Sequence, residues 1–284
     1  METGRASRTA LRVAHRRAIH QLLDHPPVLN DPVAVPILGP EFAFDRDAEM
    51  HPWSRAFRAF MVARSRYAED QLAKAVRAGV RQYVVLGAGL DTFACRNPFE
   101  HLRVFEVDFP ATQEWKRALL GGVAAALPGG VIPETLRFVP LDFEHKTLAA
   151  GLAEAGFDAS EAAFFGWLGV VPYLTRGAFQ STIETIATLP PGSGVSFDYG
   201  LAPHSLSPAR RVAFDALAAR VAAAGEPFRL FFTPEELEDE LGSAGFHRVE
   251  QLDSGELNRR YFRDRSDGLA LPADGIGMLA TAWV

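Results

Sequence analysis

The sequence predicts an α/β protein built on a mainly parallel, seven-stranded sheet, with an antiparallel hairpin at one edge and a helical cap before the first strand. Three observations carry this reading. Short apolar runs alternate with helix-length segments between residues 82 and 199. A Gly87-Ala88-Gly89 turn follows the first of those runs. Two further apolar runs, 247–252 and 276–284, end the chain and suit an antiparallel edge pair.

Residues 1–25 read as a helix closed by His25-Pro26-Pro27, since proline cannot continue it. Arg5, Arg8, Arg12, Arg16 and Arg17 also resemble an arginine-rich transit peptide. The helical reading rests on Ala10, Leu11, Ala14, Ala18 and Leu22 sharing one face. A loop-rich stretch leads to a long helix from Trp53 to Ala78, closed by Gly79. Phe57, Phe60, Met61, Ala68 and Leu72 give that helix an apolar face, and Arg64 falls within it. An arginine there needs an anionic partner. That partner is either an internal Asp or Glu, or a ligand carboxylate or phosphate.

Strands are predicted at 84–86, 103–107, 136–139, 162–168 and 194–199, with helices at 111–126, 148–155 and 177–189 between them. A strand–glycine–helix turn brings backbone close to a ligand and offers free N–H groups, so a helix is expected to open near Asp91-Thr92. Ser207-Pro208 starts a helix running to Ala224, and Thr233 to Glu236 forms a capping box for the next. Residues 1–80 thus form a cap within the same domain. Residues 81–284 form the ligand-binding part, with a helical lid insertion around 200–232.

Composition narrows the function. The 284 residues are 48% hydrophobic and 23% charged, with a net charge of −6, which disfavours a nucleic-acid partner. The longest apolar run, 162–174, is too short for a bilayer and contains Gly and Pro. Cys95 is the sole cysteine, so an internal disulfide is impossible and a cytoplasmic setting is expected. No Cys/His spacing suits a metal.

Acids at the strand ends suggest a nucleotide-like ligand. Asp108 ends the second strand, 19 residues after Gly89, and can accept ribose hydroxyls or cap the next helix. Asp142 ends the third strand beside Phe143. It can meet an adenine amino group while the ring packs the base, or it can cap a helix. The position of a third dinucleotide glycine is held by Thr92, which weakens the nicotinamide reading, and no P-loop motif occurs.

The strings VVLGAGLDTFACR, VFEVDFPATQEWKRALL, FVPLDFEH and FFGWLGVVPYLT, with LNRRYF and DGL near the end, resemble the leucine carboxyl methyltransferase superfamily. That group includes bacterial S-adenosylmethionine-dependent enzymes and tetracenomycin-type polyketide O-methyltransferases. The resemblance implies a class I, Rossmann-like methyltransferase fold and S-adenosyl-L-methionine as cofactor. It implies that Arg64 grips the methionine carboxylate, that Gly87, with Ala88 and Gly89, borders methionine and ribose, that Asp108 binds ribose, and that Asp142 and Phe143 bind adenine. Two departures stand out. Leu168 occupies the place of an acid usual after the fourth strand, and Phe93 and Cys95 replace a usual arginine and tyrosine. Both argue against a protein-phosphatase substrate.

The expected reaction is methyl transfer to a carboxylate or hydroxyl of a small molecule, such as a polyketide. A carboxylate acceptor needs no base, whereas a phenol gains from one. Residues near the ends of the fourth and fifth strands are the candidates: His204 and Tyr199 for chemistry, and Trp167, Tyr173 and Arg176 for the acceptor pocket. Alternatives are an NAD(P)-dependent oxidoreductase, or a cofactor-binding protein that has lost catalysis.

Overall fold

A computed structural model describes residues 8–143, 145–223, 225 and 227–284. Expectations for residues 1–7, Arg5 among them, lie outside the described residues. The strands are β1 Gln82–Leu86, β2 Arg103–Asp108, β3 Leu136–Pro140, β4 Ala163–Trp167, β5 Gly194–Leu201, β6 Phe231–Phe232, β7 Arg248–Leu252 and β8 Gly277–Trp283. The helices are α1 Arg8–Leu23, α2 Arg46–Met50, α3 Pro52–Arg77, α4 Pro110–Gly122, α5 Leu148–Glu154, α6 Arg176–Ala187, α7 Pro208–Ala223, α8 Pro234–Ala244 and α9 Ser254–Leu257.

The strands form one sheet in the order β3-β2-β1-β4-β5-β8-β7. β1 to β5 run parallel, and β8 lies antiparallel between β5 and β7. The order reverses between β1 and β4, and open α/β sheets bind ligands at the carboxyl ends of strands beside such a reversal. Among the described residues that order has the seven strands expected, and one short further strand lies off it. Phe231 and Phe232 form the extra strand, pairing with Gly200 and Leu201 of β5. The segment read as a lid therefore ends inside the sheet.

β1 is buried along its whole length, as a central parallel strand covered on both faces must be. The face under α5, α6 and α8 carries Phe165, Trp167, Phe197, Tyr199 and Phe232, which form one apolar cluster with Phe179 of α6. Burying each such ring contributes about 1.5–3 kcal/mol. The other face near β5 and β8 is covered by α3, through Ala59, Val62, Ala63 and Tyr67 against Leu252 and Leu279. The expected capping box is present: Thr233 accepts from the Glu236 N–H while Glu236 accepts from the Thr233 N–H.

The cap is bound by charge as much as by apolar contact. Arg58 of α3 is fully buried, and its Nε and Nη2 donate to Asp24 at 2.7 and 3.0 Å. Its Nη1 meets the Glu49 carboxylate at 3.2 Å, and Glu49 also pairs with Arg16 of α1. His20 holds Asp24 from the other side and accepts the Val28 N–H through Nε2. Burial opposes ionisation of Asp24, but hydrogen bonds from His20 and Arg58 outweigh it and hold the carboxyl at about 2.

Two expectations follow. Arg58→Ala leaves two buried carboxylates short of a partner and should cost about 3–5 kcal/mol in urea unfolding. The folded carboxyl of Asp24 titrates below its ordinary value of 3.8. Its ion pairs therefore stabilise the fold above about pH 4 and are lost as pH falls towards 2. Asp24→Asn should flatten the stability–pH curve across that window, read by thermal melts at fixed ionic strength.

Candidate active site

The site begins where β1 ends. Gly87 and Gly89 take positive φ of 65° and 48°, a region open to glycine without strain. Their N–H groups are not free, as the motif had suggested. Gly87 and Ala88 both donate to the Val107 carbonyl, at 2.9 and 3.1 Å. Gly89 donates to the Asp108 carboxylate at 2.6 Å. The turn is thus fastened to the end of β2, and its ligand-facing role is close approach. A Cβ on Gly87 would lie 2.4 Å from Val170 Cγ2, and one on Gly89 would lie 2.9 Å from the Ala10 Cβ of α1.

No α-helix opens at Asp91-Thr92; the chain makes a 3-10 turn over Phe93–Arg96. The side chains there bind elsewhere. Asp91 accepts the Phe93 N–H at 2.7 Å, and the Thr92 hydroxyl donates to Asp31 at 2.7 Å. Arg17 of α1 reaches Asp31 and Thr92, and Arg96 pairs with Glu69 of α3. This network of buried and half-buried charges clamps the cap onto the glycine turn.

Asp108 uses one oxygen for Gly89 and the other for the Phe109 N–H at 2.7 Å. A carboxylate offers about four acceptor sites, so capacity remains for hydroxyls. Burial pushes its pKa above the ordinary value, against the pull of those two N–H groups. α4 has no side-chain cap. Asp142 lies on the neighbouring strand end, where Leu141 donates to the Asp108 carbonyl at 2.9 Å. The helix that Asp142 was expected to cap is capped by Thr147 instead. Phe143 is 61% exposed at the rim.

Arg64 is buried in α3 and donates through Nη1 to Asp198 Oδ2 at 3.0 Å. Asp198, on β5, also accepts the Gly169 N–H at 2.5 Å. The internal ion pair that periodicity allowed therefore exists, yet it leaves the Arg64 Nε buried without a partner among the described residues. Gly169 has φ 73°, and a Cβ there would stand 2.9 Å from Arg64 Nη2, so the guanidinium lies directly against the backbone after β4. Glycine turn, Val170, Gly169, Arg64 and Asp198 form one continuous wall at the carboxyl ends of β1, β4 and β5.

Asp198 was not singled out from sequence. Its signal is a lone acid inside the apolar strand Gly194–Leu201. Alternation along a strand places it on the opposite face from Phe197 and Tyr199. It supplies, from β5, a carboxylate beside the loop where Leu168 lacks one.

The acceptor-side residues divide. Trp167 stacks on Phe179 at 5.6 Å and 5°, and Tyr199 donates to Gln251 at 2.5 Å; both are buried in the apolar cluster on the face opposite Asp198. Burial, and then Glu235, push the Tyr199 phenol well above its ordinary range. His204 lies exposed in the turn Pro203–Ser205. Arg176 pairs with Glu240 and covers the Phe232 ring at 4.9 Å. Tyr173, three residues beyond Val170, meets Phe228 at 5.4 Å, and Phe228 meets Phe231 at 6.3 Å. Phe231 in turn contacts Phe214 of α7 at 5.2 Å. Among the described residues no group of His, Cys, Asp and Glu could hold a metal, and no helix is long and apolar enough to cross a membrane.

The cofactor chemistry fits this wall. A carboxylate suits the unpartnered Arg64 N–H, a ribose suits Asp108, and the two glycines let backbone approach both. The leucine carboxyl methyltransferase family profile matches residues 10–187. The chain is 38% identical over 214 residues to YktD of Bacillus subtilis, a protein named for S-adenosyl-L-methionine-dependent methyltransferase activity; the match covers 74% of this chain and 68% of YktD. A similarly named protein of Mycobacteroides abscessus is 36% identical over 208 residues, covering 70% of this chain and 66% of its own length. A methyltransferase-titled structure from Thermobifida fusca shares the fold, with a TM-score of 0.59 at 18% identity, over 99% of this chain and 96% of the other. A DUF574-family protein from Streptomyces avermitilis does so at 0.54 and 21%, over 87% and 94%. The chain belongs to the leucine carboxyl methyltransferase family, with the class I Rossmann-like fold and S-adenosyl-L-methionine as its cofactor.

Proposed function

We propose that this protein is an S-adenosylmethionine-dependent O-methyltransferase acting on a small molecule, with a carboxylate as the preferred acceptor. The observation that carries the reading is Arg64: a buried cation held by Asp198 at one nitrogen, with another N–H unpartnered, on the same strand-end edge as Asp108. An acidic partner on one side and an open donor on the other orient a guanidinium for a carboxylate.

In this reading Arg64 takes the methionine carboxylate and Asp108 the ribose hydroxyls. Asp142 and Phe143 take the adenine at the exposed rim. Gly87 and Gly89 supply close backbone, and Asp198 keeps the charge near the amino group balanced. The bound cofactor supplies an electrophilic methyl group. The chain then has to hold the acceptor oxygen in line and keep water out. The aromatic group of Tyr173, Phe228, Phe231 and Phe214, between the Val170 loop and α7, is the proposed acceptor wall, and α1 and α7 the proposed lid.

The carboxylate preference rests on proton chemistry. Tyr199 is buried, hydrogen-bonded and resistant to ionisation, and His204 faces solvent. Neither is placed as a base, and a carboxylate acceptor needs none.

Calorimetry with S-adenosylhomocysteine tests the site. Asp108→Ala and Arg64→Ala should each weaken binding by about 1–3 kcal/mol, from lost charge-assisted hydrogen bonds. A folded Asp108→Ala protein with unchanged affinity would refute the ribose assignment. Asp198→Ala leaves Arg64 buried without its counter-charge and should lower stability by about 3–5 kcal/mol in urea. His204→Ala should leave turnover of a carboxylate acceptor within about twofold, and a loss beyond about a hundredfold would restore it as a base.

A further inference from the structure

On the side of α3 turned away from Arg64 lies a second polar cleft, of about 650 Å³. At about 100° per residue, Arg66, Asp70, Lys74 and Arg77 share one stripe there. Arg260 and Arg265 face them from the C-terminal part of the chain, and Pro26-Pro27 closes one end. The volume falls in the range of small-molecule sites, about 300–1,000 Å³.

The charge of this cleft runs against the chain, whose net charge is −6. Its lining carries five cations and one acid, Asp70. Three of the five have partners: Arg66 with Asp70 at 2.9 Å, Arg260 with Glu250 at 2.7 Å, and Arg265 with Asp267 at 2.5 Å. Two of those carboxylates are already taken by neutral donors. Tyr261 donates to Asp70 at 2.9 Å, while Tyr67 and Gln71 donate to Glu250 at 2.9 and 2.6 Å. The side chains of Lys74 and Arg77 are exposed and make no ion pair or hydrogen bond among the described residues, although the Lys74 charge helps to lower the Glu250 pKa from a distance. Five cations against three acids leave an excess of two, concentrated on these two side chains.

Helix polarity does not explain the arrangement. Lys and Arg in a last turn do offset the negative end of a helix. That accounts for Lys74 and Arg77 but not for Arg66, Arg260 and Arg265 converging from separate elements. The carbonyl end of α3, which would repel an anion, is partly covered by Arg81, whose Nη1 meets the Val76 and Val80 carbonyls at 3.2 and 3.1 Å.

We propose that this cleft binds a diphosphate-bearing small molecule. Lys74 and Arg77 supply the two cations that stand outside ion pairs, and the remaining N–H groups of Arg66 and Arg260 supply fork-like donors for phosphate oxygens. The half-buried Tyr261 ring and the exposed Pro26-Pro27 form an uncharged wall on which a base or other flat group can lie. The site is separate from the methyl-transfer site and does not depend on that reading.

The test is calorimetric titration of pyrophosphate, at about 0.15 M salt where surface attraction is screened, into protein saturated with S-adenosylhomocysteine. Saturable one-site binding is expected, and the Lys74→Ala/Arg77→Ala double variant, altered only at exposed positions, should bind at least tenfold more weakly. Arg46→Ala, an exposed arginine on α2, should bind as the wild type does. ADP binding more tightly than pyrophosphate assigns the tyrosine–proline wall to a base, and equal binding assigns the site to the diphosphate alone. No saturable binding up to millimolar pyrophosphate, or wild-type affinity in the double variant, overturns the proposal.

Discussion

The ion pair between Arg64 and Asp198 is the constraint around which the candidate site is arranged. Taking a guanidinium out of water costs several kcal/mol unless its charge is met and its donors are used. Asp198 meets the charge and uses one donor, while the Gly169 N–H satisfies the second carboxylate oxygen. The pair therefore joins three elements: α3, the loop after β4, and β5. It also explains Gly169, since a side chain there would collide with the guanidinium. An ion pair serving stability alone would use its donors fully; this one leaves Nε buried and unspent.

The rest of the site is held by similar reciprocal fastening. Asp108 ties the glycine turn to β2, and Arg17, Arg96, Asp31 and Glu69 tie the same turn to the cap. The loops that carry function are thus bound to rigid strands by charge, in a protein whose core is otherwise apolar and aromatic. Glu106 follows the same pattern one residue pair away. It is buried against Lys116, and burial lifts its carboxyl to about 7 despite the lysine. Such pairs fix geometry more than they add stability.

Much of this was legible in the sequence, and the parts that were not share a cause. Strand and helix positions followed from apolar period and from Gly and Pro punctuation, because those signals are local. Asp108 drew attention because it ends a strand, where an acid can cap the next helix or meet a ligand; the structure shows no side-chain cap on α4. The 3-10 turn after Thr92 was not, because Asp91 and Thr92 resemble a helix start until the partners Arg17 and Asp31, from distant segments, are known. Arg64 was left between two readings; the structure shows the internal partner, Asp198, and leaves one buried N–H over. Asp198 went unnoticed because a single acid in a strand carries no periodic signature. Tyr199 and Trp167 drew attention by their nearness to strand ends, and strand alternation turned them into the core. The two-residue strand β6 had no signal beyond a pair of phenylalanines.

A structure of the complex with S-adenosylhomocysteine tests the central claim most directly. The account predicts the amino-acid carboxylate within about 3 Å of a guanidinium N–H of Arg64, with Asp198 still bound to the same side chain and Asp108 on the ribose hydroxyls. A carboxylate bound elsewhere, with Arg64 satisfied by Asp198 alone, would contradict it.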